Sequence, residues 1–338
     1  MRLRVGLGDL LCSTPALRAL RAFRPDLDLT LVTWPEMAPV VERLGYVDRL
    51  LPFPGFPGIP DRAPDPRGWE SFVADAIDLG LDLAVQCYGD NPAANAVAAA
   101  LGARLAGGFA PTGWALPEGG ESLHLRYPTE EHEVRRHLLL LQHLGVPLPE
   151  DAGRLDFPVT ISEEEAHRRL LSERGLVSQG YAVLHPGASS PSRRWPLESY
   201  AEVARRLHGD GLRVVLTGSG GERVLTRRLA EEATVPTLDL GGRTDLPGLA
   251  LLLRDSAVLV GNDTGTAHLA AAVGARSVTI FQPGDPRRWA HRGSRFRSLS
   301  PGVACAPCPH LECPIDFRCS RATTPERVLG AARDLVGA

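Results

Sequence analysis

The residues able to do chemistry in this chain fall in a few short stretches. The most informative is 257–274, AVLVGNDTGTAHLAAAVG. It opens with branched apolar residues, breaks at Gly261 and resumes as a small-residue helix from about Thr266. A buried strand feeding a helix through a tight polar turn is the anatomy of an anion site. Asp263 or Thr264 caps the helix, Gly265 lets the backbone approach a ligand closely, and the first N–H groups carry the positive end of the helix dipole. A phosphate is the expected ligand. Ala267, Ala270, Ala271 and Ala272 let the helix lie close on its sheet. An ordinary capped turn of any doubly wound fold reads the same way, so the rest of the chain has to decide between the two.

A second stretch lies at the start, MRLRVGLGDLLCSTPALRALRAF. Gly6 and Gly8 suggest a dinucleotide fingerprint, but its third glycine would fall at Leu11, and the match fails. Asp9 is left in the turn between the carboxyl end of a strand and a helix, which is where α/β sheets keep reacting groups. The plainer reading is a solvated turn aspartate. Late in the chain Cys305, Cys308, Cys313 and Cys319 follow the pattern C-x2-C-x4-C-x5-C. A C-x2-C pair forms half of many tetrahedral zinc sites, whereas the second half here is more loosely spaced. Structural zinc, reduced thiols and disulfides are all open readings of that run, and Cys12 and Cys87 read as core fillers.

The elements that position these residues follow from composition and periodicity. The 338 residues, 43% of them hydrophobic, are enough for two α/β domains. All 37 basic residues are Arg, and the formal net charge of −3 excludes a general nucleic-acid binder, whose affinity would come from a strongly positive face. No apolar run approaches the ~20 residues of a membrane span, and the first residues lack the apolar core of a secretion signal. A soluble, cytoplasmic protein is expected.

Along the chain, the start gives a short strand and a glycine turn. A helix should then begin at Thr14 as N-cap, with Pro15 in the first position. Strand, helix and strand signals follow at 29–33, 37–44 and 47–51. The stretch 52–68, with six prolines, reads as a loop over one edge. Helix 69–79, strand 83–86, helix 92–101 and a strand near Leu105 complete a parallel sheet with helices on both faces, and a further helix spans 130–144. The theme repeats in the second half, where HPGASSPSRRW, TGSGGE and GNDTGTAH gather at one sheet edge. The expected domains are 1–150 and 151–324, with a last helix over 325–338 packing near their junction.

Taken together, GDLLCSTPALRALR, HPGASSPSRRWPLESYAEVA, NDTGTAHLAAAVG and the late cysteine run resemble the heptosyltransferase family, the lipopolysaccharide glycosyltransferases of family 9. The resemblance covers nearly the whole chain. It implies the GT-B architecture, with two doubly wound Rossmann-like domains facing across a cleft. It also implies an inverting transfer without a catalytic metal, of a heptose from ADP-heptose to a glycolipid or lipopolysaccharide core acceptor. A lipid-linked acceptor adds a peripheral contact with the inner membrane surface. Carried over by motif, Asp9 is the general base on the acceptor hydroxyl and Arg193, two positions before Trp195, neutralises the leaving diphosphate. Asp263, Thr264 and Gly265 form the phosphate and sugar turn, Glu222 matches a nucleoside-binding position, Ser189 is a phosphate neighbour, and His268 fits the motif, in binding or in packing. Two other readings stay open: another nucleotide-activated sugar passed to a surface polysaccharide, and a non-catalytic sugar-nucleotide-binding protein. The chain departs from the family pattern in having only seven residues before Gly8. A short first strand, or a start downstream of the usual one, accounts for that.

Overall fold

A computed structural model describes residues 1–3, 6–60, 63–116 and 122–337 of the chain. It divides into two compact units, Met1–Asp156 and Phe157–Ala338.

The first unit runs α1 (Leu7–Phe23), β1 (Thr30–Thr33), α2 (Ala38–Val41), β2 (Arg49–Pro52), α3 (Pro66–Asp78), β3 (Leu83–Gln86), α4 (Pro92–Ala100), β4 (Leu105–Ala110), β5 (His124–Arg126) and α5 (Glu133–His143). All pairing is parallel, β1 with β2 and β3–β4–β5 in order. Of the expected first strand, Met1–Leu3 are described and residues 4 and 5 lie outside the described residues. Those three residues bridge the two strand groups. Arg2 N–H donates to Val32 O at 2.9 Å, the Met1 amine donates to Val85 O at 2.7 Å, and Cys87 N–H donates back to Met1 O at 3.1 Å. Met1 and Leu3 thereby join the core of Val32, Leu51, Phe53, Phe72, Ala84 and Val97. The proline-rich stretch, of which residues 61 and 62 lie outside the described residues, is pinned by Phe53 against Phe72 and Phe56 against Trp69.

The first helix corrects the expectation of a start at Thr14. It begins at Leu7 and continues through Pro15. Proline at that position removes the N–H that would bond Leu11 O, and the Thr14 hydroxyl donates to that carbonyl instead, at 2.8 Å. Ser13 does the same for Leu10 O at 2.7 Å. Thr14 thus acts inside the helix as a donor to the preceding turn, where the sequence suggested an N-terminal acceptor.

The second unit runs α6 (Ile161–Arg174), β6 (Tyr181–His185), α7 (Leu197–Gly209), β7 (Arg213–Leu216), α8 (Arg223–Ala233), β8 (Thr237–Asp239), α9 (Leu246–Asp255), β9 (Val258–Asn262), α10 (Gly265–Ala272), β10 (Ser277–Ile280), α11 (Pro286–Trp289), β11 (Phe296–Leu299), α12 (Arg318–Ala322) and α13 (Pro325–Val336). Its parallel sheet has the order β11-β10-β9-β6-β7-β8. Strands β6, β9 and β10 are buried along their whole length, as a sheet covered on both faces requires. Gly261, expected to break the strand, lies inside β9 opposite His185. The last helix, expected near the domain junction, places Val328, Leu329, Ala332 and Leu335 in the core of this second unit, with contacts to α7, β9, β10 and β11.

Gly108 in β4 has φ +123°, and a Cβ there would lie 2.0 Å from the Gln86 carbonyl oxygen. Gly113 shares a positive φ of +76° but faces open space. Gly113→Ala should therefore cost only the left-handed backbone penalty of about 1–2 kcal/mol. Gly108→Ala adds an overlap that no rotamer relieves and should cost about 3 kcal/mol or more. Urea unfolding of the two variants side by side provides the measurement, and equal costs would contradict the packing described at β3 and β4.

Candidate functional site

In the first unit Asp9 lies on the first turn of α1, three residues after Gly6, which corrects its expected place in a turn before the helix. Its carboxylate is 37% exposed. Oδ2 accepts from Gly6 N–H at 3.2 Å, so the side chain caps its own helix, where the dipole favours a negative charge. Oδ1 accepts from Arg2 Nη2 at 3.3 Å. Behind this pair the buried Glu133 on α5 accepts from Arg2 and from Arg136, and lies 3.7 Å from His137 Nε2. Burial, reinforced by the Arg2 charge, pushes the His137 pKa down to about 4, with Glu133 opposing.

In the second unit the polar residues collect at the carboxyl ends of β6, β7, β9 and β10. Asn262, at the end of β9, is 1% exposed. Its Oδ1 accepts from Trp195 N–H at 3.1 Å, and its Nδ2 donates to Pro186 O and Gly187 O at 2.9 and 3.2 Å. The loop that carries Ser189 and Arg193 is thereby tied to the strand end. Ser189 is exposed on that loop. Arg193 is 41% exposed, with Nη1 3.9 Å from Asp263 Oδ2. Asp263 is buried, and a Cβ on Gly284 would fall 2.2 Å from its carboxylate, so only glycine leaves room for it there.

Helix α10 then starts at Gly265 with Thr264 in the N-cap position, and the Thr264 side chain makes no cap bond to it. Thr264 Oγ1 is buried and lacks a hydrogen-bond partner among the described residues. Thr266, the second residue of the helix, bonds His185 Nε2 at 3.2 Å, while His185 Nδ1 pairs with Thr217 Oγ1 at 3.0 Å. Burial lowers the His185 pKa, against the pull of Glu222, and keeps the ring neutral as a link between β6, β7 and α10.

Glu222 sits on the same edge. Burial opposes its ionisation, but bonds from Ser219 N–H and Oγ, both 2.8 Å, together with the nearby Arg194 charge, hold its carboxyl below the ordinary value. The carboxylate fills the space a Cβ on Gly187 would need. His268 is buried, with Nδ1 2.9 Å from His291 Nε2 and its ring edge-on to Trp289. Its surroundings are those of a packed aromatic cluster.

Cys305, Cys308, Cys313 and Cys319 line a single cavity of about 190 Å³ with Ser192, Pro283, His310 and Arg318. Among the described residues no group of three or more His, Cys, Asp or Glu side chains is gathered as a metal ion would need, so the geometry lends the zinc reading no support. All four thiols are free. N–H groups of Ile315 and Phe317 bond Cys313 Sγ and lower that thiol's pKa, while burial raises that of Cys319. The cysteine loop is bonded to the loop that carries Arg193. Ser192 N–H and Oγ donate to Leu311 O and His310 O at 3.1 and 2.8 Å, and Cys308 N–H donates to Pro283 O at 2.8 Å.

Sequence reasoning passed over Arg2, Glu133, His185 and Asn262. Arg2 had a usable signal, a charged residue flanked by apolar ones in a strand expected to be buried. Asn262 and His185 had weaker signals, as polar ends of apolar runs.

Two units of parallel sheet flanked by helices, with polar loops at the carboxyl edge of the second, define a two-domain Rossmann-like protein of the GT-B class. The profile of glycosyltransferase family 9 (heptosyltransferase) matches residues 96–317, and the chain belongs to that family. It is 36% identical over 123 residues to lipopolysaccharide heptosyltransferase 2 of Salmonella typhimurium, covering 35% of this chain and 34% of that one. The matched stretch spans between about a third and two thirds of the length of the curated relatives. A family 9 glycosyl transferase structure from Veillonella parvula superposes with a TM-score of 0.78 at 19% identity, covering 99% of this chain and 97% of that one. The structure of E. coli ADP-heptose lps heptosyltransferase II superposes with a TM-score of 0.71 at 20% identity, covering 99% and 98%. Among the described residues no helix is long and apolar enough to cross a membrane.

The depressed His137 pKa makes stability depend on pH in a defined direction. An unfolded histidine takes up its proton near pH ~6.5, whereas the folded ring resists protonation until about 4. The contribution of neutral His137 is therefore complete above the first value and lost as pH falls toward the second. The melting temperature of His137→Leu should accordingly fall less steeply than that of the parent between these limits. Parallel slopes in differential scanning calorimetry would refute the assignment.

Proposed function

We propose that the chain is an inverting, metal-independent glycosyltransferase that moves a heptose from ADP-heptose to a lipopolysaccharide core or related glycolipid acceptor. The observation that carries this reading is the start of α10. It is a helix N-terminus at which the N-cap residue Thr264 makes no side-chain cap bond, at the carboxyl edge of β9, with the Arg193 guanidinium and the Asp263 carboxylate nearby. Such an N-terminus accepts a phosphate readily. In the proposed complex the N–H groups near Gly265 and Arg193 hold the diphosphate, Ser189 and Thr264 lie beside it, Glu222 meets the nucleoside, and Asp263 meets the sugar. Membership of family 9 and the ADP-heptose named for the E. coli relative support this choice of donor.

The transfer then balances as follows. The acceptor hydroxyl gives its proton to the Asp9 carboxylate while its oxygen forms a bond to the anomeric carbon. The bond from that carbon to the β-phosphate oxygen breaks, and the electron pair leaves on ADP. The displaced oxygen departs from the opposite face, so the configuration inverts. The developing charge on ADP meets N–H groups and a guanidinium, which supply neutralisation without a metal. The acceptor, being lipid-linked, would be met at the inner membrane surface. The four late cysteines take a structural part in this scheme, behind Ser192.

A second reading has one observation in its favour. The Asp9 carboxylate already caps α1, a role it would keep in a non-catalytic sugar-nucleotide-binding protein.

ADP release from ADP-heptose in the presence of heptose-deficient lipopolysaccharide tests the activity itself. Arg193→Ala should weaken ADP binding by about 1.5–3 kcal/mol, the range for a charge-assisted contact, and an unchanged affinity in calorimetry would remove Arg193 from the site. Asp9→Asn retains size and much of the hydrogen bonding but not the charge. Turnover in that variant should drop about 10²- to 10⁴-fold, with ADP affinity nearly unchanged. Normal turnover would leave Asp9 a helix cap only, and a parent protein that binds ADP-heptose but transfers it to no acceptor would favour the binding-protein reading.

A further inference from the structure

The buried charges of the first unit reach one candidate site residue, Asp9, through Arg2. Arg2 is 1% exposed. Its Nη1 donates to Cys87 O at 2.9 Å, to Tyr88 O at 3.3 Å and to Glu133 Oε1 at 3.4 Å. Its Nη2 donates to both the carbonyl oxygen of Asp9, at 3.2 Å, and Asp9 Oδ1, at 3.3 Å. A single nitrogen thus grips the main chain and the side chain of the same residue. With Oδ2 held by Gly6 N–H, the carboxylate is restrained at both oxygens, although it is more than a third exposed.

A buried guanidinium is costly unless it is neutralised. Glu133, 2% exposed, does this, and it is itself held by Arg136 Nη1 at 2.9 Å. Arg136 in turn donates to Pro128 O, Thr129 O and the Tyr127 hydroxyl. The charges run Asp9, Arg2, Glu133, Arg136 with alternating sign, from an exposed carboxylate to a loop fixed by its carbonyls. His137 beside Glu133 is neutral at ordinary pH and does not disturb the alternation. Helix capping alone would need the Gly6 bond and nothing more. The extra, buried half of the network acts on the direction of the Asp9 carboxylate.

We propose that Arg2, braced by Glu133, is the positioning residue for Asp9 in the transfer reaction. This rests on the reading of Asp9 as general base. A base that must meet one hydroxyl at one moment loses rate when its carboxylate samples other rotamers, and misplacement by about an ångström can cost ~10²-fold. Arg2 removes that freedom at the exposed end of a helix.

The test is a double-mutant cycle on the full chain, with ADP-heptose and heptose-deficient lipopolysaccharide as substrates. Arg2→Lys keeps the charge, but a single ammonium cannot reach both the Asp9 oxygens held by Nη2 and the Cys87, Tyr88 and Glu133 oxygens held by Nη1. It should lower kcat about 10- to 100-fold while the KM for ADP-heptose stays within about twofold. Added to Asp9→Asn, it should lower turnover no further, because it acts through the group already lost. A folded Arg2→Lys protein with parental kcat overturns the proposal, and so do losses that multiply in the double variant. If Arg2→Lys does not melt cooperatively, Arg2→Met, which leaves buried Glu133 still paired with Arg136, carries the same comparison. Parental turnover in Asp9→Asn alone would refute the base itself. A normal cycle for Arg2 beside an impaired Asp9→Asn would refute only the positioning role.

Discussion

The geometry of the second unit turns on the side-chain amide of Asn262. A parallel sheet brings its loops to one edge but does not fix their shape. The Asn262 amide does so here by bonding three backbone groups of the preceding loop from the end of β9. Trp195 follows at once, buried against Tyr200 and donating from its indole to Thr323 O. Arg193 therefore stands between two anchored points, and its approach to Asp263 is a consequence of backbone ties rather than of attraction between two side chains 3.9 Å apart. Glycines complete the arrangement by absence of bulk, at Gly187 under Glu222 and at Gly284 under Asp263.

The first unit handles charge differently. Its polar residues are drawn inward as an alternating chain of carboxylates and guanidiniums ending on main-chain carbonyls of the 127–129 segment. Buried ion pairs contribute little net stability, because desolvation offsets attraction. What such a chain does well is fix direction. Removal of one member leaves another charge uncompensated, so the pieces hold each other in place.

The sequence made the large features legible. Buried apolar runs located β3 and β9 within a residue or two, and proline or glycine punctuation located α4 and α13, whereas α3 starts at Pro66, inside the proline-rich stretch read as a loop. Short edge strands escaped notice. Strand β8 has three partly exposed residues and β11 lacks an apolar run, so neither carries a periodic signal. Helix α6 was missed as well, although Thr160 and Glu163 form a capping box at its start, because its polar face leaves almost no moment and only His167 is buried. The candidate site could be proposed from sequence where its residues lie in one contiguous motif, as in 262–266. It was unreadable where it depends on partners far apart, such as Arg2 with Glu133, 131 positions away. Thr14 shows a subtler limit: the same hydroxyl accepts at a helix start or donates within one, and composition does not distinguish these roles.

The loop of late cysteines ties local stability to the shape of the site. Leu311 is 71% exposed and Ile315 59%, so the segment has little core of its own. Yet its carbonyls at 310 and 311 hold Ser192, next to Arg193, and Cys308 holds Pro283, next to Gly284. Segments poor in buried contacts open at free energies well below that of global unfolding. The stiffness of this wall is thus limited by a surface loop, while the sheet beneath stays intact. Amide hydrogen exchange in the two regions would then be linked: the protons around Ser192 would exchange at the pace of the cysteine loop, and faster than those of β6 and β9.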